Sequence, residues 1–135
     1  MDPKKHLDKA ARLEKTMRKL DPVEDGETII ENCMLAGTHL LNAALHQVNV
    51  SEADLIHSDL LAIDRAKGLA IAPRFEIVRP ELRAAFAALQ KIESVRPDFI
   101  RGERDCTAGL AAEILGQYDL LKRSCAALGD PGSHR

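Results

Sequence analysis

The sequence predicts an all-α fold, a four- to five-helix bundle that is mainly antiparallel, and three observations predict it. Aromatic residues make up 3% of a chain that is 45% hydrophobic, so Leu, Ile and Ala must fill the interior, a mixture suited to helices packed on helices. Apolar residues recur at three- and four-residue spacing over long stretches. Pro22, Gly68, Pro80, Pro97 and Gly129 punctuate those stretches. A length of 135 residues suits one domain; residues 1–129 are expected to form it, and residues 130–135 a disordered tail.

The first helix is expected from Pro3 or Lys4 to Leu20, since proline suits the first turn and Leu7, Ala10, Leu13, Met17 and Leu20 make one apolar stripe. Asp21 and Pro22 end it. The acidic segment Asp21 to Glu27 bends the chain at Gly26 and places carboxylates near the positive end of the second helix. That helix runs to about Asn49, with Ile29, Ile30, Cys33, Met34, Gly37, Leu40, Leu41, Ala44, Leu45 and Val48 as its core face. A third helix opens at Ser51 with a Ser-x-x-Asp capping box to Asp54, buries Ile56, Leu60 and Ile63, and stops at Gly68. Leu69 to Arg79 are too apolar for a free loop, and an ordered crossover is expected there. The next helix begins at Pro80 and runs to about Val95, burying Leu82, Phe86, Leu89 and Ile92. Its alanines, Ala84, Ala85, Ala87 and Ala88, allow close approach of another backbone, with Ala36 and Gly37 as the natural counterpart. The last helix starts near Thr107, carries Leu110, Ile114, Tyr118, Leu121, Cys125 and Leu128 on one stripe, and is capped by Gly129.

A formal charge of −2 and a pI near 6.2 argue against a general polyanion binder, whose affinity comes from a surplus of Lys and Arg. No apolar run approaches the ~20 residues a membrane span needs, and the N-terminus has no hydrophobic segment of the secretory kind. Three widely spaced cysteines read as reduced thiols. Cys33 and Cys125 fall on apolar faces, and Cys106, in a charged turn, is the one placed to react. A cytoplasmic location is expected.

The clearest functional clue is a second stripe on the second helix. Asn32, His39 and His46 follow at intervals of seven, with Leu35 and Asn42 between them, so amides and imidazoles line one ridge. It is either the wet face of an amphipathic helix or a surface for a partner or ligand. The wet face is the plainer reading; Leu35 within it, and the lack of Lys or Glu from Asn32 to Val50, count against it and would be explained by a protein interface. His39 and His46 lie about 10.5 Å apart along a helix, too far for one metal ion without help from another element. No paired Glu-x-x-His motifs, short-spaced Cys and His pairs, nucleophile elbow or phosphate loop occur, so no metal, cofactor or catalytic residue is assigned. Arg96, Arg101 and Arg104 could hold a phosphate, although interleaved Asp98, Glu103 and Asp105 favour a self-paired turn.

A His-bearing helix with small residues at its middle, a capped shorter helix, a crossover, and Ser94, Val95, Arg96, Pro97, Asp98 and Phe99 before a long last helix resemble the HEPN superfamily of bacterial helical bundles. Members often carry an Arg-x-x-Ala-Asp-Tyr-like turn; here Phe99 stands in the tyrosine's place. The resemblance covers roughly Ile29 to Leu128 and implies a dimeric bundle. Many members are ribonucleases of toxin–antitoxin systems that use an Arg followed four to six residues later by His, and this sequence has no such pair. The expected function is thus a non-catalytic homodimeric module that binds a protein partner or small ligand through Asn32, Leu35, His39, Asn42 and His46, with Arg96 and Arg101 as anion contacts. The alternative is a divergent metal-independent ribonuclease with His39 or His46 as general acid or base and Arg96 or Arg101 on the phosphate; only then would nucleic acid be a partner.

Overall fold

A computed structural model describes residues 1–47, 81–98, 102 and 105–129, and among them the chain forms four helices and no strand. The fold is an all-α bundle. α1 spans Pro3–Met17, α2 Gly26–Gln47, α3 Glu81–Arg96 and α4 Ala108–Gly129. The helix expected from Ser51, the crossover from Leu69 to Arg79 and the tail 130–135 lie outside the described residues. No helix among the described residues is long and apolar enough to cross a membrane.

Local chemistry sets the helix ends. Asp2 caps α1, its side chain accepting from the Lys5 backbone N–H at 2.9 Å and satisfying a donor that the first turn leaves open. α1 stops at Met17, three residues short of the expected Leu20. Lys19 and Leu20 donate three residues back, to Thr16 and Met17 at 3.0 and 3.1 Å, the tighter turn that often closes a helix. Asp21 then organises the bend: its Oδ1 accepts from Val23 at 2.7 Å, and its own N–H donates to Asp25 Oδ2 at 2.9 Å. Thr107 caps α4, Oγ1 accepting from Leu110 at 3.1 Å. Gly129 is the last residue of α4 rather than the residue beyond it.

Among the described residues α2 is the hub, packing against each of the other three helices, while α1 packs closely on α2 alone. Nine of the ten core positions expected on α2 are buried; the tenth, Val48, lies outside the described residues. Ala36, Ala43 and Asn42 are buried as well. At Gly37 a Cβ would stand 3.1 Å from Leu121 Cδ1 and 3.2 Å from Leu89 Cδ1, so α3 and α4 wedge leucines into the gap left by the missing side chain. The alanines of α3 divide accordingly: Ala85 and Ala88 are buried, Ala84 and Ala87 exposed. Gly26 meets Cys106, whose Sγ would lie 2.7 Å from an added Cβ. Contacts of residue 26 with 106 and of 37 with 121 make α2 and α4 parallel. Arg96 against Glu31 and Leu89 against Gly37 set α3 antiparallel to α2.

α1 and α4 meet through side chains rather than through close backbones. The Glu14 carboxylate, 12% exposed, receives Lys122 Nζ at 2.6 Å, Arg18 Nη2 at 2.7 Å and the Tyr118 hydroxyl at 3.2 Å. Burial would raise its pKa, but the hydrogen bonds from Lys122, Arg18 and Tyr118, with the Lys122 charge, win and hold it below the ordinary carboxylate value. Burial and the neighbouring Glu14 push the Tyr118 phenol up, so it serves as a neutral donor. Below this bridge a cleft of about 400 Å³ opens between α1, α4 and the start of α2, floored by Met17, Ile29 and Leu115.

Two expectations follow. Gly37→Val drives two methyl groups into Leu89 and Leu121 and should cost about 1–3 kcal/mol, measured by denaturant unfolding. Because the folded-state pKa of Glu14 lies below its unfolded value, its stabilisation is complete above the unfolded value and is lost as pH falls through the folded one. The stability gap between wild type and Glu14→Gln should therefore shrink on acidification over that window, read as melting temperature against pH.

Candidate functional site

The ridge of Asn32, Leu35, His39, Asn42 and His46 does not stand free along its length. α1 runs antiparallel across it and inserts His6, which is 2% exposed, between the imidazoles. The Nδ1 atoms of His6 and His39 lie 2.9 Å apart, a hydrogen bond in which one ring supplies the proton and the other the lone pair. Ring centroids of His6 and His39 are 5.2 Å apart and tilted by 44°; those of His6 and His46 are 5.5 Å apart and stacked at 23°. Asn42 is 2% exposed, and its Nδ2 donates to the Thr38 carbonyl at 3.0 Å. The C-terminal half of the ridge is thus a polar seam against α1, with Asn42 buried and His39 and His46 half-buried. Toward the N-terminus it opens: Asn32 is half-buried and Leu35 is 42% exposed.

His6 was the residue that periodicity missed. The apolar stripe read for α1 put Leu7 inward, but Leu7 is 41% exposed, while His6, Ala10 and Met17 are buried and Leu13 and Leu20 are half-buried. The expected face holds at Ala10, Leu13, Met17 and Leu20 and changes only in the first turn, where the imidazoles of α2 offer His6 both ring contact and a hydrogen bond that a leucine could not use. His6, Ala10, Leu13 and Met17 keep helical spacing, so the signal was present once an imidazole is allowed as a core residue.

Where α1 and α2 diverge, Lys9, Arg12, Leu13, Thr16, Leu35 and His39 line a concavity of about 370 Å³. It brings an arginine and a ridge histidine together. That arginine is not one of those the sequence pointed to. Arg96 serves elsewhere: its side chain is 10% exposed, Nη2 and Nε grip Glu31 at 2.9 and 3.1 Å, and Nη1 holds Glu93 at 2.6 Å. Desolvation would lower the guanidinium's pKa, and the two carboxylates outweigh it and raise it. Glu31 precedes His39 by eight residues, about 12 Å along the helix, so Arg96 fastens α3 to α2 at a distance from the imidazoles. Both of these carboxylates stand on helices, Glu31 on α2 and Glu93 on α3. Arg101 lies outside the described residues.

The remaining reactive groups are quiet. Burial pushes the thiols of Cys33 and Cys125 up to about 12, and Cys33 rests 3.4 Å from the Met17 sulfur. Cys106, singled out as the thiol placed to react, is half-buried against Gly26 with its pKa raised by burial and by Glu27, which suppresses its thiolate. Among the described residues no group of three or more His, Cys, Asp or Glu is arranged to hold a metal ion.

Compared with protein-family models, with curated proteins and with solved structures, the chain gives no match. The site is therefore read from its own geometry. Removing the Arg96 clamp with Arg96→Met leaves Glu31 and Glu93 without their shared cation and should destabilise the bundle by about 1–3 kcal/mol. Glu31→Gln, which keeps one acceptor, should cost less. Urea unfolding of both variants measures the difference.

Proposed function

We propose that this chain is a non-catalytic, HEPN-like module of the bacterial cytoplasm that self-associates as a homodimer and binds a small ligand in the concavity between α1 and α2. The observation that carries the reading is the ridge itself: its imidazoles are packed and ordered by His6, and Leu35 stays exposed at the concavity beside Arg12 and His39. A preformed concavity with an apolar wall and a few polar groups is the usual form of a small-molecule site. Catalysis by His39 with Arg96 has no geometric support, since two carboxylates engage that arginine. The sharing of one concavity by Arg12 and His39 keeps a ribonuclease with those two residues as the second reading.

Three measurements separate these readings. In sedimentation velocity at micromolar concentration the chain should run as a dimer, and a monomer would remove that part of the proposal. A small-molecule library followed by amide chemical shifts should give hits that move Arg12, Leu35 and His39 as a set; hits that move only residues elsewhere would relocate the site. The purified protein should leave a panel of RNAs intact, whereas cleavage lost in both Arg12→Ala and His39→Ala would establish the second reading.

A further inference from the structure

We infer that the α1–α2 concavity recognises a phosphate monoester carried on a small apolar body. The inference rests on the reading of that concavity as a ligand site and names the chemistry it would select. Lys9, Arg12 and Thr16 follow at spacings of three and four on one face of α1, so two cationic side chains converge on the same opening. Among the described residues no carboxylate lines it. Among the described residues, the salt bridges engage Arg18, Lys91, Arg96 and Lys122; Lys9 and Arg12 take part in none of them. Two adjacent cations raise the local potential and favour an anion.

The donors set the kind of anion. A guanidinium offers paired N–H groups that match two oxygens of a phosphate or carboxylate, and an ammonium adds a point charge to a third oxygen. An arginine and a lysine that together reach three oxygens suit a tetrahedral dianion better than a planar monoanion, and His39 forms part of the same wall. Thr16 does not add to them, since its hydroxyl donates to the Arg12 carbonyl at 3.2 Å.

Leu13 and Leu35 give the rest of the ligand something to cover. Leu35, 42% exposed on a helix otherwise buried in its apolar positions, would lose that exposure beneath a ring or short alkyl chain. A volume of about 370 Å³ lies near the small end of ligand sites, which limits the body to roughly one ring. A long polyanion gains little from so short a pair of cations.

Phenyl phosphate carries both parts and is the probe. Titrated into the full chain, it should shift the amides of Arg12, Leu35 and His39 saturably, at least fivefold more tightly than inorganic phosphate, with phenol alone silent. Arg12→Ala and Lys9→Ala should each raise the dissociation constant about tenfold or more, about 1.4 kcal/mol. Arg12→Lys should recover part of the loss, and Lys19→Ala should leave binding unchanged. Amide spectra of each variant establish that it remains folded.

Phenyl phosphate that moves none of these amides at millimolar concentration, or that binds Arg12→Ala as well as wild type, overturns the assignment. Binding of an oligoribonucleotide without binding of phenyl phosphate overturns it equally, because the ligand would then be a polymer. Library hits of other chemistry at Arg12, Leu35 and His39 with phenyl phosphate silent would end the phosphate assignment and leave the ligand site standing.

Discussion

The bundle depends on how closely other helices can approach α2. Gly37 leaves a notch in which Leu89 and Leu121 converge, and the surrounding Ala36, Ala43 and Ala44 are almost without exposure. Small residues on a central helix let large ones from two neighbours fill the same layer, which keeps the interior at native density with few aromatic residues. Among the described residues Tyr118 is the largest fully buried side chain, and most of the core is aliphatic. Such a core is made of many modest contacts, so no single aromatic anchor fixes the relative rotation of the helices.

Polar contacts supply part of that fixing. Arg96 joins α2 to α3 through two carboxylates, and Glu14 joins α1 to α4 through three donors. Each is shielded enough for desolvation to oppose the charge, and in each the hydrogen bonds prevail in the resulting pKa. Ion pairs of this kind add little net stability over apolar replacements, yet breaking one side is costly. Their directional geometry distinguishes one arrangement of helices from another. Among the described helices α1 otherwise packs closely on α2 alone, so the Glu14 bridge is its tie to α4.

That tie connects fold to site. The His6 contact draws the N-terminal half of α1 onto the ridge, and the Glu14 bridge directs its other half toward α4. Lys9 and Arg12 lie between the two ties, on a stretch whose position both ends determine. The concavity follows from this path, as does the pairing of Arg12 with His39. A ridge that reads as one continuous surface is divided by α1 into a half-buried imidazole seam and an open edge at Leu35.

Much of the architecture was legible in the amino-acid order. The core faces of α2, α3 and α4 and the stops near Asp21 and Pro97 follow from period, capping chemistry and proline, all local properties of the chain. The ridge was visible for the same reason, since spacing of seven on a helix brings residues to one side whatever lies opposite. Tertiary structure alone decided three things: that His6 rather than Leu7 faces inward, that Arg96 spends its guanidinium on Glu31 and Glu93, and that Arg12 shares a concavity with His39. Each involves a partner distant in the chain, His39 for His6 and for Arg12 and Glu31 for Arg96. Periodicity gives the faces of a helix but not the surface each face will meet, and imidazole and guanidinium groups take their roles from that surface.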